Sequence, residues 1–225
     1  MHNLEKWLIP PRCVLTGEVG GETDLAETLI QALKQPMQVC PVCCEPSLQS
    51  DLCGACLTNP PAFSRTQVGF YFAEPLDRLI YDFKYHGKAS YARLFADLMV
   101  DRLELDQVEA LVAIPTHPLR RRIRGYNQAE LLAEALSKLL QRPVIKQAVI
   151  RITNTPSQTH LTARQRKNNL KNAFQVNPER LEGMSHIALV DDVITTGATM
   201  QQVAKLIHQK TAIKTCQAWS VAKTE

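Results

Sequence analysis

The sequence predicts an α/β protein, a mainly parallel sheet flanked by helices, with a small cysteine-rich module ahead of it. Three observations predict this. Short apolar runs at 110–114 and 187–190 have the composition of strands buried on both faces, and 213–221 reads as a closing strand. Segments with apolar residues at helical spacing alternate with them, the order that builds parallel sheets. Six of the seven cysteines fall between Cys13 and Cys56, ahead of the helix- and strand-breaking Asn59-Pro60-Pro61. The expected domains are residues 1–61 and 62–225.

Val68 to Phe72 opens the larger domain as a strand, and a helix follows from Pro75 to about Tyr85. Leu76, Leu79, Ile80 and Phe83 share one face of it, and Gly87 stops it. A second helix, about Tyr91 to Leu105, carries Leu94, Leu98 and Leu105 on its apolar side. The strand Ala110 to Ile114 leads through an arginine-rich loop into a helix where Leu131, Leu132, Ala135, Leu136, Leu139 and Leu140 recur at helical spacing. Val144 to Ile152 suits one or two short strands, and Thr153 to Asn169 reads as a long polar loop. A strand at Ile187 to Val190, a helix from Thr199 to about Gln209 and a strand at Ile213 to Val221 complete the alternation. No internal repeat is visible.

With 225 residues, 45% hydrophobic and 21% charged, the chain suits one sizeable core with a small satellite. No stretch approaches the roughly 18 apolar residues of a spanning helix. Met1 to Pro11 is too short and too proline-broken for a signal peptide, so the expected location is cytoplasmic. The net charge of +4 is uneven: Ala110 to Pro178 holds twelve Lys/Arg against Glu130 and Glu134, a local +10 that leaves −6 elsewhere. Cation is concentrated where an anion can bind.

The string Leu189 to Thr199, LVDDVITTGAT, runs from a strand into a helix. Asp191 and Asp192 stand at the strand's C-terminal end, where open α/β sheets bind ligands, and acceptor-only carboxylates suit vicinal hydroxyls. Val193 and Ile194 lead to Thr195, Thr196, Gly197, Ala198 and Thr199, which place hydroxyls and unpaired N–H groups at a helix N-terminus, a phosphate site. A capped turn would explain DD-x-x-TTG alone, but the eleven-residue string is more specific. After the strand Ala110 to Ile114, the segment with Thr116, His117, Arg120, Arg121, Arg122 and Arg124 is a second anion site, since four arginines without a nearby acid repel one another.

Cys40-x-x-Cys43 and Cys53-x-x-Cys56 have the spacing of two knuckles closing a four-thiolate site with no position left for water, which points to structural Zn²⁺ rather than disulfides or free thiols. Cys44 is an alternative ligand beside Cys43, but CxxC geometry favours Cys43. Cys13 has Thr16 where a second CxxC would need cysteine, and Cys216 lies in an apolar strand as core.

LVDDVITTGAT resembles the phosphoribosyl pyrophosphate motif of type I phosphoribosyltransferases. Together with the cysteine-rich N-terminus, FKYHG at 83–87, RGYNQAELLA at 124–133 and QTHLTARQRKNNLKNAF at 158–174, it resembles the ComF/GntX family over nearly the whole chain. The resemblance implies a type I phosphoribosyltransferase-like parallel sheet flanked by helices, with a small N-terminal zinc-binding module. It implies that Asp191 and Asp192 hold ribose hydroxyls, that Val193 to Thr199 wrap the 5′-phosphate, and that Mg²⁺ sits on the ligand's own oxygens. Pyrophosphate would meet Thr116, His117, Arg120, Arg121, Arg122 and Arg124, with Arg164, Arg166 and Lys167 on a lid that excludes water. Lys84 and Lys88 are weaker candidates for the same charge cluster.

The implied role is in natural competence, binding phosphoribosyl pyrophosphate or a related sugar phosphate and handling incoming single-stranded DNA alongside DNA-processing proteins. The alternative is an active phosphoribosyltransferase moving ribose 5-phosphate onto a nitrogenous acceptor. The surplus of basic residues favours nucleic acid. Against it, Tyr126 is the only aromatic interleaved with them, too few for a single-strand stacking platform.

Overall fold

A computed structural model describes residues 11–153 and 173–225. Within them the order is α1 (Glu27–Ala32), α2 (Gly54–Thr58), β1 (Arg65–Tyr71), α3 (Leu76–Tyr85), α4 (Tyr91–Met99), β2 (Ala110–Ala113), α5 (Pro118–Arg124), α6 (Gln128–Leu140), β3 (Val149–Arg151), β4 (Phe174–Val176), β5 (His186–Ile194), α7 (Ala198–Lys210) and β6 (Thr215–Lys223). The main sheet has the order β1-β6-β5-β2 with every pair parallel, and a parallel bridge from Leu111 to Val144 extends its β2 edge. β3 and β4 form a separate antiparallel pair.

Both faces of this sheet are covered, which explains its continuous apolar strands. Leu111, Ala188, Val190, Trp219 and Val221 face one way, against Leu79, Ile80 and Phe83 of α3, Phe95 of α4 and Leu132 of α6. Ala110, Val112, Ile187, Leu189, Cys216 and Ala218 face the other way, against Val203, Ala204 and Ile207 of α7 and the β3–β4 pair. Cys216 is core as expected, and burial pushes its thiol up to about 12.

Three departures from the expected limits stand out. α4 ends at Met99 and tightens into a 3-10 turn at Val100–Arg102. β5 does not stop at Val190: its ladder to β6 runs on to Ile194 opposite Lys223, so the acidic pair lies inside a strand and its two side chains alternate in direction. The arginine-rich loop is a helix, α5. His117 caps it through Nδ1, which accepts from the Leu119 N–H at 3.2 Å, and Pro118 occupies its first turn. Gly125 ends it at φ +84°, a conformation that favours glycine.

The N-terminal region contains a repeat that the sequence hides. Cys13 N–H donates to Glu18 O and Cys40 N–H to Glu45 O, both at 2.8 Å, while Gly17 N–H and Cys44 N–H return to Cys13 O and Cys40 O at the same distance. Bridges Arg12–Val19 and Val39–Pro46 close the two turns alike. The same knuckle is built twice, yet within the two turns only the leading cysteine and the closing glutamate recur between CVLTGE and CPVCCE.

The second knuckle is tied to the sheet. Thr66 of β1 donates its N–H to Pro41 O (3.2 Å) and its hydroxyl to Val42 O (2.6 Å), and the buried Lys223 of β6 meets Glu45 at 2.7 Å. Cys13, Leu25 and Leu33 pack in the same core as Phe70 and Trp219.

Candidate functional site

The C-terminal end of β5 opens into a cavity of about 440 Å³ whose lining includes Asp191 to Met200, Lys84, Tyr85, Thr116, Arg120, Arg124 and Arg151. Carboxylates thus meet cations from three other segments. Asp192 is buried and pairs with Lys84 Nζ at 3.0 Å, while Asp191 Oδ1 accepts the Asp192 N–H at 2.9 Å. Burial, reinforced by repulsion from Asp192, pushes the Asp191 carboxyl up to about 7 against the pull of Lys84, the Asp192 N–H and Arg151. A cation arriving at this pair displaces a proton and relieves that repulsion.

Beyond the pair, Thr195 and Thr196 are exposed and Gly197 turns the chain at φ +69° into α7, a thirteen-residue helix. Gly197, at the cap position, has no side chain to bond the helix, and Thr196 Oγ1 accepts only a long bond, 3.4 Å, from Ala198 N–H. The first-turn N–H groups of α7 therefore face the cavity with donor capacity left for a ligand's oxygens.

Helical geometry sorts the four arginines of α5. Arg120 and Arg124, one turn apart, are partly buried on the cavity side. Arg121 and Arg122 are exposed and line a neighbouring cavity of about 540 Å³, where Arg121 lies 3.5 Å from Glu130. Thr116 lines both, and His117 is occupied as the cap of α5. Burial lowers the Arg120 guanidinium, with repulsion from Arg124, and likewise Arg151, with repulsion from Arg120. Such crowding is relieved by an anion.

The segment RGYNQ holds the site together. Asn127 donates Nδ2 to Ile114 O at 3.1 Å and accepts from Thr116 Oγ1 at 3.0 Å, fixing the turn after β2. Tyr126 donates to Phe83 O at 2.6 Å, and Gln128 accepts from Arg124 at 3.3 Å while donating to Lys84 O at 3.5 Å. The end of α3, which carries Lys84, is thereby clamped to the turn that carries Arg124.

The sulfurs of Cys40, Cys43, Cys53 and Cys56 all lie within 4.8 Å of one another, with Cys43 and Cys53 at 3.5 Å. One tetrahedral ion with Zn–S bonds of about 2.3 Å needs sulfurs about 3.8 Å apart, so the donors fit a single structural metal. Cys40 is drawn down to about 6: burial opposes ionisation, but N–H groups of Cys53, Cys43 and Val42 outweigh it. Burial pushes Cys43 up to about 11 and raises Cys56, a spread expected of thiolates that need a cation to coexist. Cys44 is buried apart from the cluster, and burial pushes it to about 11.

No family model matches the chain. Competence protein F of Haemophilus influenzae is 35% identical over 179 residues, covering 76% of this chain and 78% of the relative. The chain belongs to the ComF family. DNA utilization protein YhgH of Escherichia coli K12 is 32% identical over 212 residues, 91% of this chain and 92% of that one. Competence protein ComFC of Bacillus subtilis is 26% identical over 181 residues, 76% and 72% of the two chains.

In this ComF family member the structure brings Asp191 to Thr199, Thr116, Arg120 and Arg124 to one cavity, and leaves His117, Arg121 and Arg122 off it. Arg164, Arg166 and Lys167, with most of the expected lid, lie outside the described residues. Sequence reasoning underrated Lys84 and missed Arg151, Tyr85 and Phe72. Lys84 and Tyr85 stand at the end of an amphipathic helix whose sequence does not show what it faces, while Arg151 and Phe72 sit at strand ends, where only the topology reveals that strands converge. No helix among the described residues is long and apolar enough to cross a membrane.

Proposed function

We propose that this protein binds phosphoribosyl pyrophosphate with Mg²⁺ in the cavity at the end of β5 and acts in DNA uptake, handling incoming single strands. One observation carries the binding reading: the acidic pair on β5 continues directly into the Thr195–Thr199 turn and the N-terminus of α7, and faces Lys84, Arg120, Arg124 and Arg151 across one cavity. Asp191 and Asp192 hold the ribose hydroxyls, Val193 and Ile194 carry the strand to the turn, and Thr195, Thr196, Gly197, Ala198 and Thr199 take the 5′-phosphate. Thr116, Arg120 and Arg124 face the pyrophosphate. We extend this reading to Arg121 and Arg122 from the neighbouring cavity that shares Thr116, to His117 as the cap that sets α5, and to the candidate lid residues Arg164, Arg166 and Lys167.

A parallel sheet with the order β1-β6-β5-β2 and an antiparallel pair beside it supports a type I phosphoribosyltransferase-like fold, with residues 1–61 as a zinc-binding module on the domain 62–225. The names of the relatives, competence and DNA utilization proteins, support the DNA role, and we place that role in the cytoplasm as part of the same proposal. Mg²⁺, when bound, screens the ligand's phosphate charge. The chain's own residues hold the ribose, neutralise the leaving oxygens and, at Asp191, release a proton as the cation arrives.

Titration with phosphoribosyl pyrophosphate, with and without Mg²⁺, tests the binding. One site per chain that requires Mg²⁺ supports it, and no heat change at millimolar ligand sinks it. The second reading, an active transferase, rests on the same cavity: pyrophosphate release in the presence of a nucleobase supports transfer, and its absence across purines and pyrimidines leaves a binding protein.

A further inference from the structure

We propose that Tyr81 and Tyr85 of α3, with Arg124 of α5, form a stacking platform for bases of single-stranded DNA at the mouth of the cavity at the end of β5. The proposal rests on the DNA-handling reading above and assigns it a surface. α3 buries Leu76, Leu79, Ile80 and Phe83, and sets Tyr81 and Tyr85 one turn apart on its outer side, 55% and 56% exposed. Their ring centroids are 4.9 Å apart, and the Arg124 guanidinium lies over the Tyr85 ring at 5.0 Å.

The rings are held in place. His86 meets the edge of Tyr81 at 5.3 Å and is itself fixed by Asp82 at 2.7 Å, while Arg124 is braced by Gln128 and reaches Tyr85 Oη at 3.5 Å. An i, i+4 aromatic pair adds little to a helix already anchored by four buried apolar side chains, so helix stability does not account for two exposed rings.

What distinguishes this patch from stray surface tyrosines is what adjoins it. Tyr85 and Phe72, the latter 39% exposed, line the same cavity as Lys84, Arg120 and Arg124. Aromatic faces alternating with cations are the recurrent chemistry of single-strand binding, where bases stack in turn and the backbone follows the positive groove. In sequence this interleaving is invisible, because the rings come from 72–85 and the arginines from 120–124. The basic segment itself interleaves only Tyr126, and the fold brings Tyr85 of α3 against its Arg124.

The occupant follows from charge complementarity. A strand of DNA presents both unstacked bases and a phosphate at every step, matching rings and guanidiniums together, whereas a duplex hides its base faces.

The test is fluorescence anisotropy on the full, metal-loaded chain with two labelled 20-mers, oligo-dT and an abasic strand with the same phosphates. Wild type binds oligo-dT more tightly than the abasic strand, by about fivefold or more per stacked base. Tyr81→Ala/Tyr85→Ala erases that difference without changing the salt dependence, and Tyr81→Phe/Tyr85→Phe restores it. Equal wild-type affinity for the two strands overturns the platform while leaving DNA handling intact, as does a double alanine variant that keeps the preference. Failure of wild type to bind either strand overturns both.

Discussion

Lys84 Nζ lies 3.0 Å from Asp192 Oδ1, joining the last turn of α3 to the carboxylates of β5. Both groups are largely shielded from water, so the pair is not a screened surface contact. Lys84→Gln leaves Asp192 in place without its cation. Unfolding by urea at pH 7.5 is expected to show a loss of about 1–3 kcal/mol, the cost of stranding a shielded polar group.

Asp191 has an ordinary carboxyl value of 3.8 and is pushed up to about 7 in the folded chain. Between those values the native state holds a proton that the unfolded state has lost. The stability from this group is therefore complete below about pH 4, falls as pH rises and levels off above pH 7. Asp191→Asn removes the dependence, so its Tm relative to wild type should rise by a few degrees between pH 5 and pH 8. A constant difference across that range contradicts the assignment.

Gly197 turns β5 into α7 at φ +69°, where a Cβ would stand 3.7 Å from the Phe63 ring. Space is adequate, and the cost lies in the backbone. Gly197→Ala should destabilise by about 1–2 kcal/mol in thermal unfolding and weaken phosphate-dependent binding as the N–H groups shift.

The cluster of Cys40, Cys43, Cys53 and Cys56 should hold one zinc per chain. Atomic emission on purified protein measures it directly. Cys40→Ser should lower the content severalfold and make the chain insensitive to chelator, while the chelator lowers the Tm of wild type. Cys44→Ser should leave the metal content unchanged, since Cys44 lies apart from the four.

Much of the fold could be read from periodicity, because strands buried on both faces and amphipathic helices announce themselves locally. The acidic pair and the Thr195–Thr199 turn were legible for the same reason: strand, turn and helix N-terminus are contiguous. What could not be read came from convergence. Arg120 and Arg124 separate from Arg121 and Arg122 only once α5 is known to be helical, and the cap and glycine stop that make it so are single residues. Lys84 and Tyr85 reach the cavity through tertiary contacts made by Tyr126 and Gln128, and Arg151 through the pairing of β3 with β4. The doubled knuckle is a backbone repeat in which Thr16 and Gly17 stand where Cys43 and Cys44 do, so side-chain identity conceals it.

The central claim is that Asp191 and Asp192 grip a sugar phosphate. Calorimetric titration of phosphoribosyl pyrophosphate with Mg²⁺ into wild type and into the Asp191→Ala/Asp192→Ala pair measures this most directly. Saturable binding to wild type, weakened at least about tenfold in the pair while zinc content and fold are retained, is the expected result. Equal affinity in the two proteins would contradict it.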